Sequence, residues 1–226
     1  MATPDPSLIA IHSAEARERL GVVLGELARE RWATPVPACP GWSVHDVLAH
    51  LVGVIEDAGA GRLSGPPDEE QTASQVERHR GDDPRELLAA WQGMAPTFES
   101  GVAASGVWPA MFDVLSHEHD VRGALGRPGA RDTAGVRLAA ELLLRWCRTP
   151  VGVEVDLDGD RTVVVRAEDG SPASELTLQA SSFEVMRFRL GRRSRSQLAA
   201  MGWTGDPTPV LDSLFTFGPA EHDLVE

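Results

Sequence analysis

The spacing of apolar residues changes once along this chain, at Thr149-Pro150, and that change constrains the fold more than any other feature. Before it, apolar residues recur three and four positions apart, as helices with one buried face require. After it, VGVEVDLDGDRTVVVRAEDGSPASELTLQA alternates with period two across Gly/Asp turns, the pattern of short strands covered on one face. The chain therefore reads as α+β. A helical bundle is expected over residues 1–150, followed by a small α+β domain over 151–226 with a short antiparallel sheet of three strands.

Within the first part the helices announce their ends. Residues 7–31 carry Leu8, Ile11, Ala14, Leu20, Val23, Leu24 and Leu27 on one face and stop in the proline-rich stretch 34–41. Ser43 reads as the N-cap of the next helix and Asp46 as its capping-box partner, with Trp42 and Val47 at hydrophobic-staple spacing. Val44, Val47, Leu48, Leu51, Val54 and Ile55 continue the apolar stripe. Residues 62–82 read as a long polar loop with a short helical piece. A helix after Asp83-Pro84 passes through Leu87, Leu88, Trp91 and Met94 toward 103. Pro109 suits the first turn of a further helix that reaches Leu125 and ends at Gly126-Arg127-Pro128-Gly129. Another covers about 132–147. Past the strands, helices are expected at 182–190, 194–200 and 207–215, with a turn at 202–207 in which Trp203 packs.

Charge and composition narrow the function classes. The net charge of −13 argues against nucleic-acid binding, because neutralising phosphates takes a basic surface. No stretch approaches the roughly 20 apolar residues of a membrane span, and the N-terminus lacks the basic-then-apolar order of a secretory signal. Two cysteines, Cys39 and Cys147, make no disulfide framework. A cytoplasmic protein, monomeric or homodimeric, is the expectation. Every basic residue is Arg, and Lys, Asn and Tyr are absent, a bias that suggests a GC-rich genome.

Seven histidines raise the question of a metal, since neutral imidazole is the commonest divalent-metal ligand near neutral pH; most of them are expected at the surface. Asp113 and His117 stand four apart in an expected helix, so both project from one face and can reach one ion. The same spacing also suits a solvated pair or a local ion pair. His50, at the edge of its helix's apolar stripe, should point inward, as a third ligand or as a hydrogen-bonded core residue. Asp120 could accept a hydrogen bond from a ligating histidine or pair with an Arg, the latter slightly favoured. His119 falls off the Asp113/His117 face. Cys39 reads as a buried structural thiol with no basic neighbour, and Cys147 as core.

Two segments carry a family resemblance. GWSVHDVLAHLVG (41–53) and DVLSHEHDVRGALGRPG (113–129) resemble the two motifs of the mycothiol-dependent maleylpyruvate isomerase N-terminal domain, a relative of the DinB-like bundles. The tail SFEVMRFRLGRRSRSQLAAMGWTGDP resembles the end of that family's C-terminal domain. The resemblance implies a DinB-like four-helix bundle whose metal ligands fall on His50, Asp113 and His117. The characterised isomerase type has Glu where this chain has Asp113, one methylene shorter. It implies zinc as the ion and mycothiol as the thiol cosubstrate, held as a thiolate that adds to an electrophilic small molecule. An isomerase would expel the thiol again, whereas an S-transferase would leave it attached. Arg187, Arg189, Arg192, Arg193 and Arg195 stand out in an acidic chain. They suit a salt-bridged surface or, through Arg192 and Arg193, a clamp for an anionic substrate. A non-catalytic metal- or thiol-binding module is the rival expectation, and a metal-free bundle the third.

Overall fold

The computed structural model describes residues 5–105, 109–171 and 174–226. The first four residues of the N-terminal segment, and part of the turn before the third expected strand, lie outside them. Among the described residues, contacts group the chain into two compact units, one reaching Gly129 and the other spanning Ala130–Val225.

The first unit is a four-helix bundle. Helix α1 (Pro6–Gly25) starts with Asp5 accepting from the Ser7 N–H and Pro6 in the first turn. After a 3-10 turn at Arg29–Ala33, α2 (Val44–Gly59) begins in the capping box expected from Ser43 and Asp46, with both reciprocal bonds present. The polar stretch folds into α3 (Glu69–Arg78), itself opened by a capping box of Asp68 and Gln71. Helices α4 (Pro84–Ser105) and α5 (Pro109–Leu125) complete the bundle. α1 and α2 lie on a diagonal, each packed against both α4 and α5, and α3 packs on α2. Ile9, Leu20, Leu48, Met111 and Leu115 are fully buried at its centre. No described helix is long and apolar enough to cross a membrane.

The second unit opens with α6 (Ala134–Arg145), which packs on α7 (Ser182–Arg189) and on strand β3, so it joins the sheet and not the bundle with which its helical spacing groups it. The sheet has five strands and is mixed, where three antiparallel strands are expected: β1 (Arg148–Thr149), β2 (Gly152–Leu157), β3 (Arg161–Ala167), β4 (Ser174–Ala180) and β5 (Gly202–Thr204), in the order β1-β3-β2-β4-β5. β2 and β3 form the expected antiparallel hairpin. β1 pairs parallel to β3 and takes its outer edge, so β4 adds to the far side of β2, where it runs parallel. Val153, Val155, Leu157, Val163, Val165 and Leu178 fill the covered face, with Phe188 and Leu198 (the latter from α8, Arg195–Ala199) packed into the same core. Residues 202–204 are strand β5 on β4 and not a turn, and Trp203 packs against that core as expected. The helix expected at 207–215 reduces to a 3-10 turn at Leu211–Leu214. Pro207 and Pro209 bring no backbone N–H, and Asp206 captures the Thr208 N–H and hydroxyl, which holds the start of this stretch in a turn.

Candidate metal centre

Helix α5 buries five consecutive polar residues, Ser116, His117, Glu118, His119 and Asp120. Burying such groups is costly unless they are partnered, and two of them, His117 and Asp120, belong to clusters that could hold an ion. α2 presents His50 to α5, whose Asp113 and His117 stand one turn apart. His50 Nε2 lies 3.3 Å from Asp113 Oδ1, and His117 Nε2 lies 3.4 Å from the same oxygen. The two rings meet edge-on with centroids 5.1 Å apart. All three ligand atoms fall within one ion-sized cluster.

These separations fit a metal better than they fit hydrogen bonds. Charge-assisted N–H···O bonds are about 2.7–2.9 Å long. Two ligands about 2.05 Å from a tetrahedral zinc stand roughly 3.3 Å apart, and the Asp113 oxygen lies at that distance from each nitrogen. Both imidazoles are held from behind. His50 Nδ1 is 2.9 Å from Gln75 Oε1, and His117 Nδ1 is 3.0 Å from Asp120 Oδ2. This is the support that ligating histidines ordinarily receive. Trp42 covers both rings, its centroid 5.3 Å from His50 and 6.1 Å from His117.

Electrostatics bind the cluster together. Burial pushes the Asp113 carboxyl up, but the His50 charge and the bonds from both histidines outweigh it and hold the group well below the usual carboxylate range. Burial pushes His117 down, and its bonds to Asp113, Asp120 and Cys39 more than reverse this, raising it well above an ordinary imidazole. Imidazole ligates a metal in its neutral form, so an ion entering this cluster would release protons. His50 and His117 are buried, whereas the Asp113 side chain is about a quarter exposed (27%). Asp113 lines a cleft of about 340 Å³, counted with its open mouth, whose walls include Leu51, Val54, Trp91 and Phe98 and whose rim carries the Arg17–Glu99 ion pair. Of the three clustered residues, Asp113 is the most exposed.

Several expectations need correction. Four histidines are buried (His50, His79, His117 and His119), and of the seven only His222 is fully exposed. His119 belongs to neither ligand cluster, as its angle on the helix predicts. Asp120, for which an Arg partner is slightly favoured from sequence, accepts from His117, and the neighbouring buried Glu118 is bonded to Arg19 and Arg122. Cys39 is buried as expected, yet it has a basic neighbour: its Sγ lies 3.8 Å from His117 Nδ1 and donates to Asp120 Oδ2 at 3.3 Å. Seventy-eight positions separate Cys39 from His117, so no local pattern reports the contact. Gln75 gives no sequence signal either, since it sits in a stretch that reads as polar loop.

Within the arginine run, Arg193 pairs with Glu184 and Arg195 with Asp212. Arg193 is buried, its guanidinium forked on the Glu184 carboxylate at 2.7 and 2.8 Å and set over the Phe183 ring. Arg192 Nη1 donates to the Leu190 carbonyl.

Comparisons with known proteins bear on the family and the fold. The family described as mycothiol maleylpyruvate isomerase N-terminal domain matches residues 13–133. No curated protein matches the chain. Among solved structures, the mycothiol-dependent maleylpyruvate isomerase superimposes with a TM-score of 0.52 at 12% identity, covering 85% of this chain and 92% of that one. A histidine-to-alanine mutant of it gives 0.53 at the same identity and coverage. At that identity the likeness is one of fold.

Proposed function

The chain belongs to the mycothiol maleylpyruvate isomerase N-terminal domain family, and from that premise we propose that it is a metal-dependent enzyme that uses mycothiol to act on an electrophilic small molecule. The observation that carries this reading is the convergence of His50 Nε2 and His117 Nε2 on one Asp113 oxygen at separations of 3.3 and 3.4 Å. Three protein ligands leave a coordination position open, as catalytic sites of this kind require. Zinc held there would draw in a thiol sulfur and favour its thiolate at neutral pH. The chain's own residues then have distinct tasks. Asp120 and Gln75 keep the two rings turned to the cluster, Trp42 shields them from water, and Asp113 meets the incoming ligand at the cleft. Mycothiol, when bound, would supply a thiolate that can add to an activated double bond, with the π electron pair moving onto the activating carbonyl. Rotation about the resulting single bond and return of that pair with expulsion of the same thiolate would complete an isomerisation with no net change of atoms; protonation of the adduct carbon with the thiol retained would make the reaction an S-transfer.

Elemental analysis and turnover assays test the proposal. The wild type is expected to hold one zinc per chain, and His117→Ala none, with its far-UV circular dichroism unchanged because apolar burial and not the ion holds the bundle. Conversion of a cis-configured, doubly activated alkene is expected only with both zinc and mycothiol present. Unchanged metal content in His117→Ala refutes the ligand set. Zinc and thiol binding without turnover of any such substrate refutes the enzyme and leaves a binding module.

A further inference from the structure

The far side of His50 leads into a chain of polar groups that the ligand set does not use. Asp57 is buried and accepts from Arg62 Nε at 2.8 Å, Arg62 Nη2 at 2.5 Å and Arg78 Nη2 at 2.9 Å. Burial pushes its carboxyl up, but bonds from Gln75, Arg62 and Arg78 outweigh that and hold it below its ordinary value. As a carboxylate it can only accept. Gln75, 0% exposed, lies against it with Nε2 2.8 Å from Asp57 Oδ2. The planar amide then points its oxygen the other way, where Oε1 lies 2.9 Å from His50 Nδ1. A carbonyl oxygen also only accepts, so Nδ1 must carry the proton.

We infer that Gln75 is a positioning residue of the metal centre, relaying the anchored Asp57 carboxylate into a fixed proton on His50 Nδ1 and so turning Nε2, the ligating nitrogen, toward Asp113. The reverse amide orientation would set its oxygen against the Asp57 carboxylate and its NH2 against His50, opposing two acceptors in a place without water. Packing holds the relay in register. Gly53 lies directly under Gln75, and a Cβ there would stand 2.5 Å from Gln75 Cβ, so the bare backbone of α2 is what lets α3 come this close. Gln75 differs from Asp120 behind His117 in one respect: it sets the ring's direction without adding a negative charge to the site.

The consequence for metal affinity rests on the proposed function, whereas the position of the proton does not. Zinc affinity is measured by chelator competition on wild type, Gln75→Leu, Asp57→Asn and the double variant, and the His50 Nδ1 proton is followed by 1H–15N NMR in the metal-free protein. Gln75→Leu is expected to weaken zinc by about 10–100-fold, the usual effect of losing the group behind a ligating histidine. Asp57→Asn weakens it in the wild-type background and adds less than about twofold in the Gln75→Leu background, because its effect travels through Gln75. The Nδ1 proton is expected to exchange slowly in wild type and to lose that protection in Gln75→Leu. Should Gln75→Leu fail to fold, Asp57→Asn decides alone. Its amide can present either face to Gln75, so a mixture of His50 protonation patterns is expected, and a single unchanged pattern overturns the relay. Additive losses in the cycle, or a wild-type proton on Nε2 in place of Nδ1, also overturn it. A wild type that binds no zinc removes the metal reading and leaves the proton measurement to decide this inference.

Discussion

Replacing Gly53 with Ala is expected to destabilise the bundle, although the same change in an exposed helix ordinarily strengthens it. Ala is favoured over Gly in a helix interior by about 1 kcal/mol. At Gly53 that gain meets a wall. The added Cβ would lie 2.5 Å from Gln75 Cβ, 2.7 Å from its Cγ and 3.1 Å from its Cα. Carbon atoms pack at about 3.5–4.0 Å, so α3 must retreat by roughly 1 Å, and because a backbone atom is among the contacts, rotating the side chain does not cure it. Overpacking of this kind costs about 1–3 kcal/mol. The same retreat stretches the 2.9 Å contact from Gln75 to His50 past bonding range, which costs about 1–3 kcal/mol more for a buried group left unpaired. The net loss is about 1–5 kcal/mol. Gly93, exposed in α4 with nothing within 4 Å of its would-be Cβ, is the matched control and should gain roughly 0.5–1 kcal/mol as Ala. Urea titration of the metal-free proteins, followed by far-UV circular dichroism, measures both. Equal stabilities for Gly53→Ala and Gly93→Ala would refute the claim that α2 and α3 touch through a bare backbone.

Two further outcomes follow from the charges. In the metal-free protein the raised His117 contributes stability that is fully present below the unfolded imidazole value of about 6.5 and is lost as pH rises toward its folded value; the lowered Asp113 contributes above about 3.9 and is lost in acid. The urea midpoint of wild type relative to His117→Ala is therefore expected to be highest between those pH values and to fall in the alkaline range, and a difference that grows with alkaline pH contradicts the assignment. Glu118→Ala removes the fully buried carboxylate shared by Arg19 and Arg122 and is expected to cost about 3 kcal/mol, with wild-type zinc content retained; denaturant stability within 0.5 kcal/mol of wild type, a range usual for surface changes, would show that the pair is not coupled to the fold.

Local rules determined much of this protein from sequence alone. The capping box of Ser43 and Asp46 starts α2 where it reads. Pro109 opens α5, and Gly126, at φ 64°, terminates it with a conformation that other residues adopt at a cost. A spacing of four puts Asp113 and His117 on one face because a helix turns every 3.6 residues. The change of period at Thr149-Pro150 separates a helical part from a sheet, and alternation picks out Val153, Val155, Val163 and Val165 as its covered face. Only the tertiary structure decided which nitrogen of His50 faces Asp113, because that depends on Gln75, 25 positions away on α3. It alone brought Cys39 to Asp120 across 81 positions. It also placed β4 beside β2 and not β3, since β1 had occupied the other edge. Periodicity reports which face of an element leaves water. The direction of a hydrogen bond and the neighbour of a strand belong to pairs of elements, and those are settled when distant segments compete for the same donors, acceptors and edges.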